Sequence, residues 1–216
     1  MRVNKGLMIA ATFDPTKRTS LITVADMCRK IEENSISLPL YQRDISWTLQ
    51  KCIDLLNYQL WGKAPVSPIS INVINTVDSA VPQVSFIDRE IISTIERGQY
   101  SVVDGQQRLT TNYKAYCNHD DFRNIVLDLG KGEFTEVRDS IRSNQIPVGI
   151  LLNKEDTKLF EYTKAKSALG SADVLSVLLQ VRSKMRNYNY TLNSAEDLTE
   201  DEQIEWFEVL NNAGSR

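Results

Sequence analysis

Residues 102–111 carry the densest set of groups suited to a phosphate. A β-branched apolar pair, Val102-Val103, meets Asp104-Gly105, and Gln106-Gln107-Arg108 follow at once. The pattern predicts a core strand over 99–103 and a helix over 106–118. The first turn of such a helix carries unpaired backbone N–H groups and a partial positive charge. Gly105 removes the side chain where a ligand would approach, and Arg108 supplies a guanidinium fork that matches phosphate oxygens. Asp104 can orient Arg108, hold a metal or position a water. Gln106 and Gln107 can donate to oxygens or orient a nucleophile, and Thr110 and Thr111 add hydroxyls nearby. A capped helix start with solvated polar residues fits the same segment.

Two further segments offer similar chemistry. Leu38 to Trp47 places Gln42 and Arg43 between an extended segment and a helix start, again a geometry that suits an anion. Tyr41 and Trp47 can stack on a base or pack in the core. Trp206 to Arg216 ends in Asn211-Asn212 and Gly214. Asn and Gly are expected in a helix C-cap, and the two amides can also project toward the pocket formed by the other segments.

Other chemistries find little support. There is no Gly-Lys-Ser/Thr phosphate loop. His119 is the one histidine, and beside Asp120 and Asp121 it reads as a solvated turn residue. Cys28, Cys52 and Cys117 lack metal-ligand spacing and show no disulfide framework, so no cysteine metal site is expected. The formal net charge of −3 offers no overall basic excess for gripping duplex DNA, so such contact needs a local patch or a partner. The apolar stretch near Leu7 is short and broken at Asp14-Pro15, so no signal peptide is read and a cytoplasmic protein is expected.

The elements that must position these groups follow from periodicity. An amphipathic helix is predicted over 20–34, capped by Ser20 or Thr23, with Val24, Met27, Cys28 and Ile31 on one face. Residues 35–41 read as extended, 46–61 as a helix with Ser46 as cap, and 68–74 as a strand. Residues 84–92 read as a strand or hairpin arm. Short strands are predicted at 124–129 and 133–137. Residues 154–187 read as helical with a break at Gly170-Ser171, 188–192 as a strand, and 199–212 as a helix with a Thr199–Glu202 capping box. This order gives an α+β fold with a helical C-terminal part and a boundary near residue 150. The 216 residues, 42% hydrophobic and 25% charged, suit one compact domain or one domain with a small appendage.

Taken together, Leu-Pro-Leu-Tyr41-Gln42-Arg43 with Trp47, then Asp104-Gly105-Gln106-Gln107-Arg108-Leu109-Thr110-Thr111, then Phe207 to Gly214, resemble the N-terminal domain of GmrSD-type, modification-dependent restriction proteins. The resemblance spans residues 20–216. It implies a small mixed sheet with flanking helices similar to ParB and sulfiredoxin. Residues 1–19 become an N-terminal extension, 20–150 the ParB-like unit, and 151–216 a helical part that is either truncated or completes the pocket. It further implies a nucleoside triphosphate as ligand, with magnesium, and NTP hydrolysis coupled to cleavage of foreign DNA in antiphage defence. Phosphate or catalytic roles are implied for Asp104, Gln106, Gln107 and Arg108, and pocket roles for Gln42, Arg43, Asn211 and Asn212. The resemblance also implies further helix beyond Arg216 and, in many members, an HNH-type nuclease domain. A single histidine places no such centre here, so a nuclease subunit or domain is the expected partner. Two alternatives stand beside this: a DNA-phosphate-binding or DNA-nicking module, and a non-enzymatic regulatory or truncated relative acting through a nuclease partner.

Overall fold

A computed structural model describes residues 2–13, 18–42 and 47–213. A short helix α1 (Lys5–Ala10) precedes strand β1 (Arg18–Thr23) and helix α2 (Val24–Glu32). Strand β2 (Ile36–Pro39), helix α3 (Leu49–Trp61), strands β3 (Ile69–Ile74) and β4 (Gln83–Val84) lead to β5 (Gln99–Asp104) and helix α4 (Gln106–Tyr116). Strands β6 (Ile125–Asp128), β7 (Glu133–Glu136) and β8 (Gln145–Pro147) follow. Helices α5 (Val148–Leu151), α6 (Asp156–Ala165) and α7 (Ala172–Arg186), strand β9 (Asn189–Glu196) and helix α8 (Glu200–Ala213) complete the chain.

The fold is α+β. Among the described residues, a six-stranded mixed sheet runs β1-β9-β3-β5-β2-β4, and a three-stranded antiparallel sheet runs β7-β6-β8. Strand β9 pairs antiparallel with β1 and parallel with β3, so residues after 151 supply an interior strand of the main sheet as well as helices. One core lies on the main sheet, where α2 and α4 bury Met27, Cys28, Ile31 and Leu109 against Ile69, Ile71 and Val102. A second core packs α3, α5, α6 and α7 around the small sheet, with Leu56, Phe134, Ile146 and Leu178 fully or almost fully buried.

The helix expected over 20–34 is instead a strand followed by a shorter helix. Residues 18–23 pair with β9, and the Thr23 hydroxyl caps α2 by accepting the Asp26 N–H at 3.1 Å. Pairing with a distant strand overrides the helical reading of Leu21-Ile22-Thr23, all of which tolerate β geometry. The buried face of α2 is Val24, Met27, Cys28 and Ile31, as its periodicity predicts. Helix α3 begins at Leu49 under Thr48, whose hydroxyl faces the Lys51 N–H; Ser46 lies outside the described residues. The hairpin arm expected over 84–92 reduces to β4 and one bridge between Val84 and Ile91. Helix α4 stops at Tyr116, and Asn118 then takes φ +55, a left-handed turn that Asn tolerates. Ser171 caps α7, and Thr199 and Glu202 form the reciprocal box at the head of α8.

One buried polar cluster fixes α4 relative to the rest. The Gln59 amide donates to Asn112 Oδ1 at 3.1 Å and to the Tyr190 hydroxyl at 2.9 Å. Asn112 donates back to Gln59 Oε1 at 2.8 Å, and Tyr190 donates to Asn112 Oδ1 at 2.6 Å. The three side chains come from α3, α4 and β9, so the closed network ties both cores to the helix that starts at Gln106. Such networks specify geometry because each member would be costly to leave unpaired.

Candidate functional site

The site begins where β5 leaves the sheet. Ser101, Val102 and Val103 are wholly buried, which fixes the strand's exit point at Asp104. Gly105 turns the chain with φ +102 and ψ 6, and α4 starts one residue later. A side chain is excluded at Gly105 twice over. Its φ lies in the region that favours glycine, and a Cβ would collide with the Ile69 Cδ1 methyl. A glycine N-cap has no side chain to accept a first-turn N–H, so those donors are left to other partners.

Arg108 anchors this turn. Its guanidinium donates to the Ser67 and Pro68 carbonyls and to Asp104 Oδ2, the last at 3.0 Å. The side chain is only 12% exposed. Its fork is therefore directed at the segment entering β3 and at Asp104, the last residue of β5, four positions earlier in the chain. Asp104 is the more exposed member of the pair and faces the cleft.

That cleft measures about 730 Å³ and is lined by three separate stretches of chain. The floor is Val103 to Arg108. One wall is Tyr41, Gln42 and Trp47, and the other is the face of α8 carrying Ile204, Phe207, Glu208 and Asn211. The volume falls within the range of small-molecule and cofactor sites. The walls are tied together: the Tyr41 hydroxyl donates to Gln203 Oε1 at 3.3 Å, and the Trp47 N–H donates to Gln107 Oε1 at 2.9 Å. Burial, with the nearby Glu200 carboxylate, pushes the Tyr41 hydroxyl up to about 12, so it stays protonated near neutrality. Gln42 is clamped to β5, its amide donating to the Val102 and Val103 carbonyls at 2.7 and 2.9 Å.

Residues 24–216 match the family described as GmrSD restriction endonuclease, N-terminal domain. The chain belongs to that family. No curated protein matches it. This GmrSD N-terminal domain is thus a restriction-system module, and the match covers all three stretches that line its cleft.

Not every residue singled out in the sequence reaches the cleft of this GmrSD domain. Tyr41, Gln42, Trp47, Asp104, Gly105, Gln106, Gln107, Arg108 and Asn211 do. Thr111 is buried instead, its hydroxyl donating to the Gln107 carbonyl at 2.8 Å and lying 3.4 Å from Cys52 Sγ. Thr110 and Asn212 are outside the cleft lining. Asn211 lines the cleft but donates to the Phe207 carbonyl of its own helix at 3.0 Å. Arg43 and Gly214 lie outside the described residues.

The structure also adds residues to the GmrSD cleft. Ile204, Phe207 and Glu208 line it through the phase of α8. The sequence signal was present, since Glu208 and Asn211 are three apart and share a helix face. Arg89 was invisible in sequence. It sits in the loop after β4 with φ +52 and donates to the Gln42 carbonyl at 2.7 Å, holding the Tyr41-Gln42 turn from behind. Among the described residues no group of three or more His, Cys, Asp or Glu side chains could hold a metal. Among them, too, no helix is long and apolar enough to cross a membrane.

Proposed function

We propose that the cleft over Asp104–Arg108 binds a nucleoside triphosphate and hydrolyses it, and that this cycle regulates DNA restriction in phage defence by a nuclease domain or subunit. The observation that carries this reading is the glycine-capped start of α4, which opens into a cleft of about 730 Å³ with aromatic rings on its walls. A helix start offers N–H groups and positive potential to phosphate oxygens. Trp47, Tyr41 and Phe207 offer faces for a base or sugar.

The roles divide by position. Gly105 and the first turn of α4 cradle phosphate, and Gln106 and Gln107 orient its oxygens or a water. Asp104 is held by Arg108, which positions the turn rather than reaching freely for the ligand. Magnesium needs only one or two protein carboxylates when it arrives with phosphates. Asp104 and Glu208 are the carboxylates on the cleft and would hold it; the ion would neutralise phosphate charge. The engagement of Arg108 by two carbonyls and Asp104 speaks against its gripping a DNA phosphate in this arrangement.

The test combines thermal shift and phosphate release. ATP, GTP, CTP and UTP are added with and without magnesium to the wild type and to Gln106→Ala, whose side chain lines the cleft. The expected result is a raised midpoint for at least one triphosphate, by mass action, with release reduced in the variant. No shift for any nucleotide refutes the binding site. A shift without release refutes hydrolysis and leaves a sensor.

A further inference from the structure

An edge strand offers unpaired backbone N–H and C=O groups, and proteins that stay alone blunt such edges. Among the described residues the two sheets have four edge strands, and three of them are blunted. Strand β4 has two residues, and β8 has three and ends at Pro147. On β7 the Asn57 side chain of α3 takes both the N–H and the carbonyl of Phe134. Strand β1 is the exception. It runs six residues with β9 on one side and, among the described residues, no strand on the other. Its single charge, Arg18, sits at its start and is paired with Glu196, so Thr19 to Thr23 form an uncharged stretch. Leu21 is 69% exposed, on the face opposite the buried Ile22.

Helix α1, just upstream in the chain, lacks cover in the same way. Leu7, Met8 and Ile9 are consecutive, so apolar side chains point to several sides of it. A helix apolar all round is ordinarily a buried one, yet no residue of α1 is buried. Val3, Leu7, Met8, Ile9 and Phe13 are between 55% and 69% exposed.

We infer that the open edge of β1, together with α1, is a docking surface for a second copy of this chain, whose β1 pairs antiparallel with the first about a twofold axis. This does not depend on the nucleotide reading of the cleft. A twofold axis makes one surface its own complement, and the two main sheets join into one. Directly opposite residues in such a pair point to the same face, so the strand pairs with itself about a residue. Leu21 is the residue that gains, because its exposed side chain then meets its own copy. That register sets Arg18 of each copy opposite Val24 of the other, towards the exposed Asp26 carboxylate on the first turn of α2. The area also suits a dimer. The five apolar side chains around α1, and Leu21, each offer roughly 100 Å². With the strand backbone they approach the ~800 Å² per partner of a stable interface.

The test measures mass against concentration on the full chain by analytical ultracentrifugation. The expected result is a dimer for the wild type at micromolar concentration. Leu21→Lys sets two ammonium groups opposite each other and should weaken the dimer by at least roughly a hundredfold. Ile9→Glu on α1 should weaken it by at least roughly tenfold. Both side chains are exposed in the single copy, so circular dichroism and melting of the dilute variants should match the dilute wild type. Leu21→Cys places two thiols across the axis. Opposite Cα atoms there lie ~4.5–5.5 Å apart, within disulfide reach, so mild oxidation should give a covalent dimer that the wild type does not form. A wild type that stays monomeric up to about 100 μM overturns the inference. So does a dimer indifferent to either charged variant, or one that fails to link through Leu21→Cys.

Discussion

Replacing Gly105 with alanine tests whether the turn is as constrained as its geometry requires. Two costs arise in the folded state. Holding a non-glycine residue in left-handed backbone costs ~1–2 kcal/mol, and φ at this position is +102. The new Cβ also runs into Ile69 Cδ1, with Ile69 Cγ2 at 3.3 Å and Arg108 Nη2 at 3.2 Å. Ile69 is wholly buried in the main sheet, so it has little room to give; overpacking of this kind costs ~1–3 kcal/mol. The two add to a loss of about 2–5 kcal/mol, read as a drop of roughly 1–2 M in the urea midpoint at unchanged slope. The steric part is separable. Ile69→Val removes Cδ1, so the double variant should recover about 1 kcal/mol relative to the sum of the single changes. A loss below ~1 kcal/mol for Gly105→Ala, against the ~1–2 kcal/mol expected of the backbone alone, would refute the claim that the chain needs glycine here. An additive double variant would refute the collision with Ile69.

Three other outcomes are expected. Gln59→Leu leaves Asn112 and Tyr190 short of partners in the interior and should cost about 2–3 kcal/mol by chemical denaturation; a neutral variant would mean the network does not hold α4. Arg108→Lys cannot satisfy Ser67, Pro68 and Asp104 together, so it should lower the thermal midpoint and weaken nucleotide binding in parallel, as measured by melting and titration. Binding lost at unchanged stability would instead give Arg108 a direct ligand contact. The Gln145 amide, with the Lys131 and Gly130 N–H groups, holds the Asp128 carboxyl below its ordinary value of 3.8. The fold therefore favours its ionised form. That contribution is complete above the unfolded value and is lost as pH falls through the depressed folded one. Acid titration of stability should show a steeper fall below about pH 4 in the wild type than in Asp128→Asn, and identical acid limbs would count against it.

Much of the site was legible because it is local. A buried β-branched strand, Asp-Gly and a polar helix start occur within a dozen residues, and the turn forms as that order predicts. The same holds for the face of α2, set by helical period, and for the capping box on α8. What sequence could not show depends on distant contacts. Residues 18–23 become a strand only because β9 pairs with them. Arg89 gains its role from a carbonyl 47 positions away. Thr111 shares the polar segment that suggested a ligand, but the phase of α4 turns it toward Cys52 and the interior.

The place of β9 has a consequence for synthesis. Among the described residues, strand β1 has β9 as its only neighbour in the sheet, and β9 also covers one edge of β3. As the chain leaves the ribosome, β1 and that edge of β3 stay unpaired until residues 189–196 emerge. Pairings of such long sequence separation form late and slowly, and open strand edges invite association with other chains. A nascent chain of this protein is thus a natural client for chaperones over most of its length. Its cleft, which needs α8 as well, forms only once residues 200–213 have also emerged.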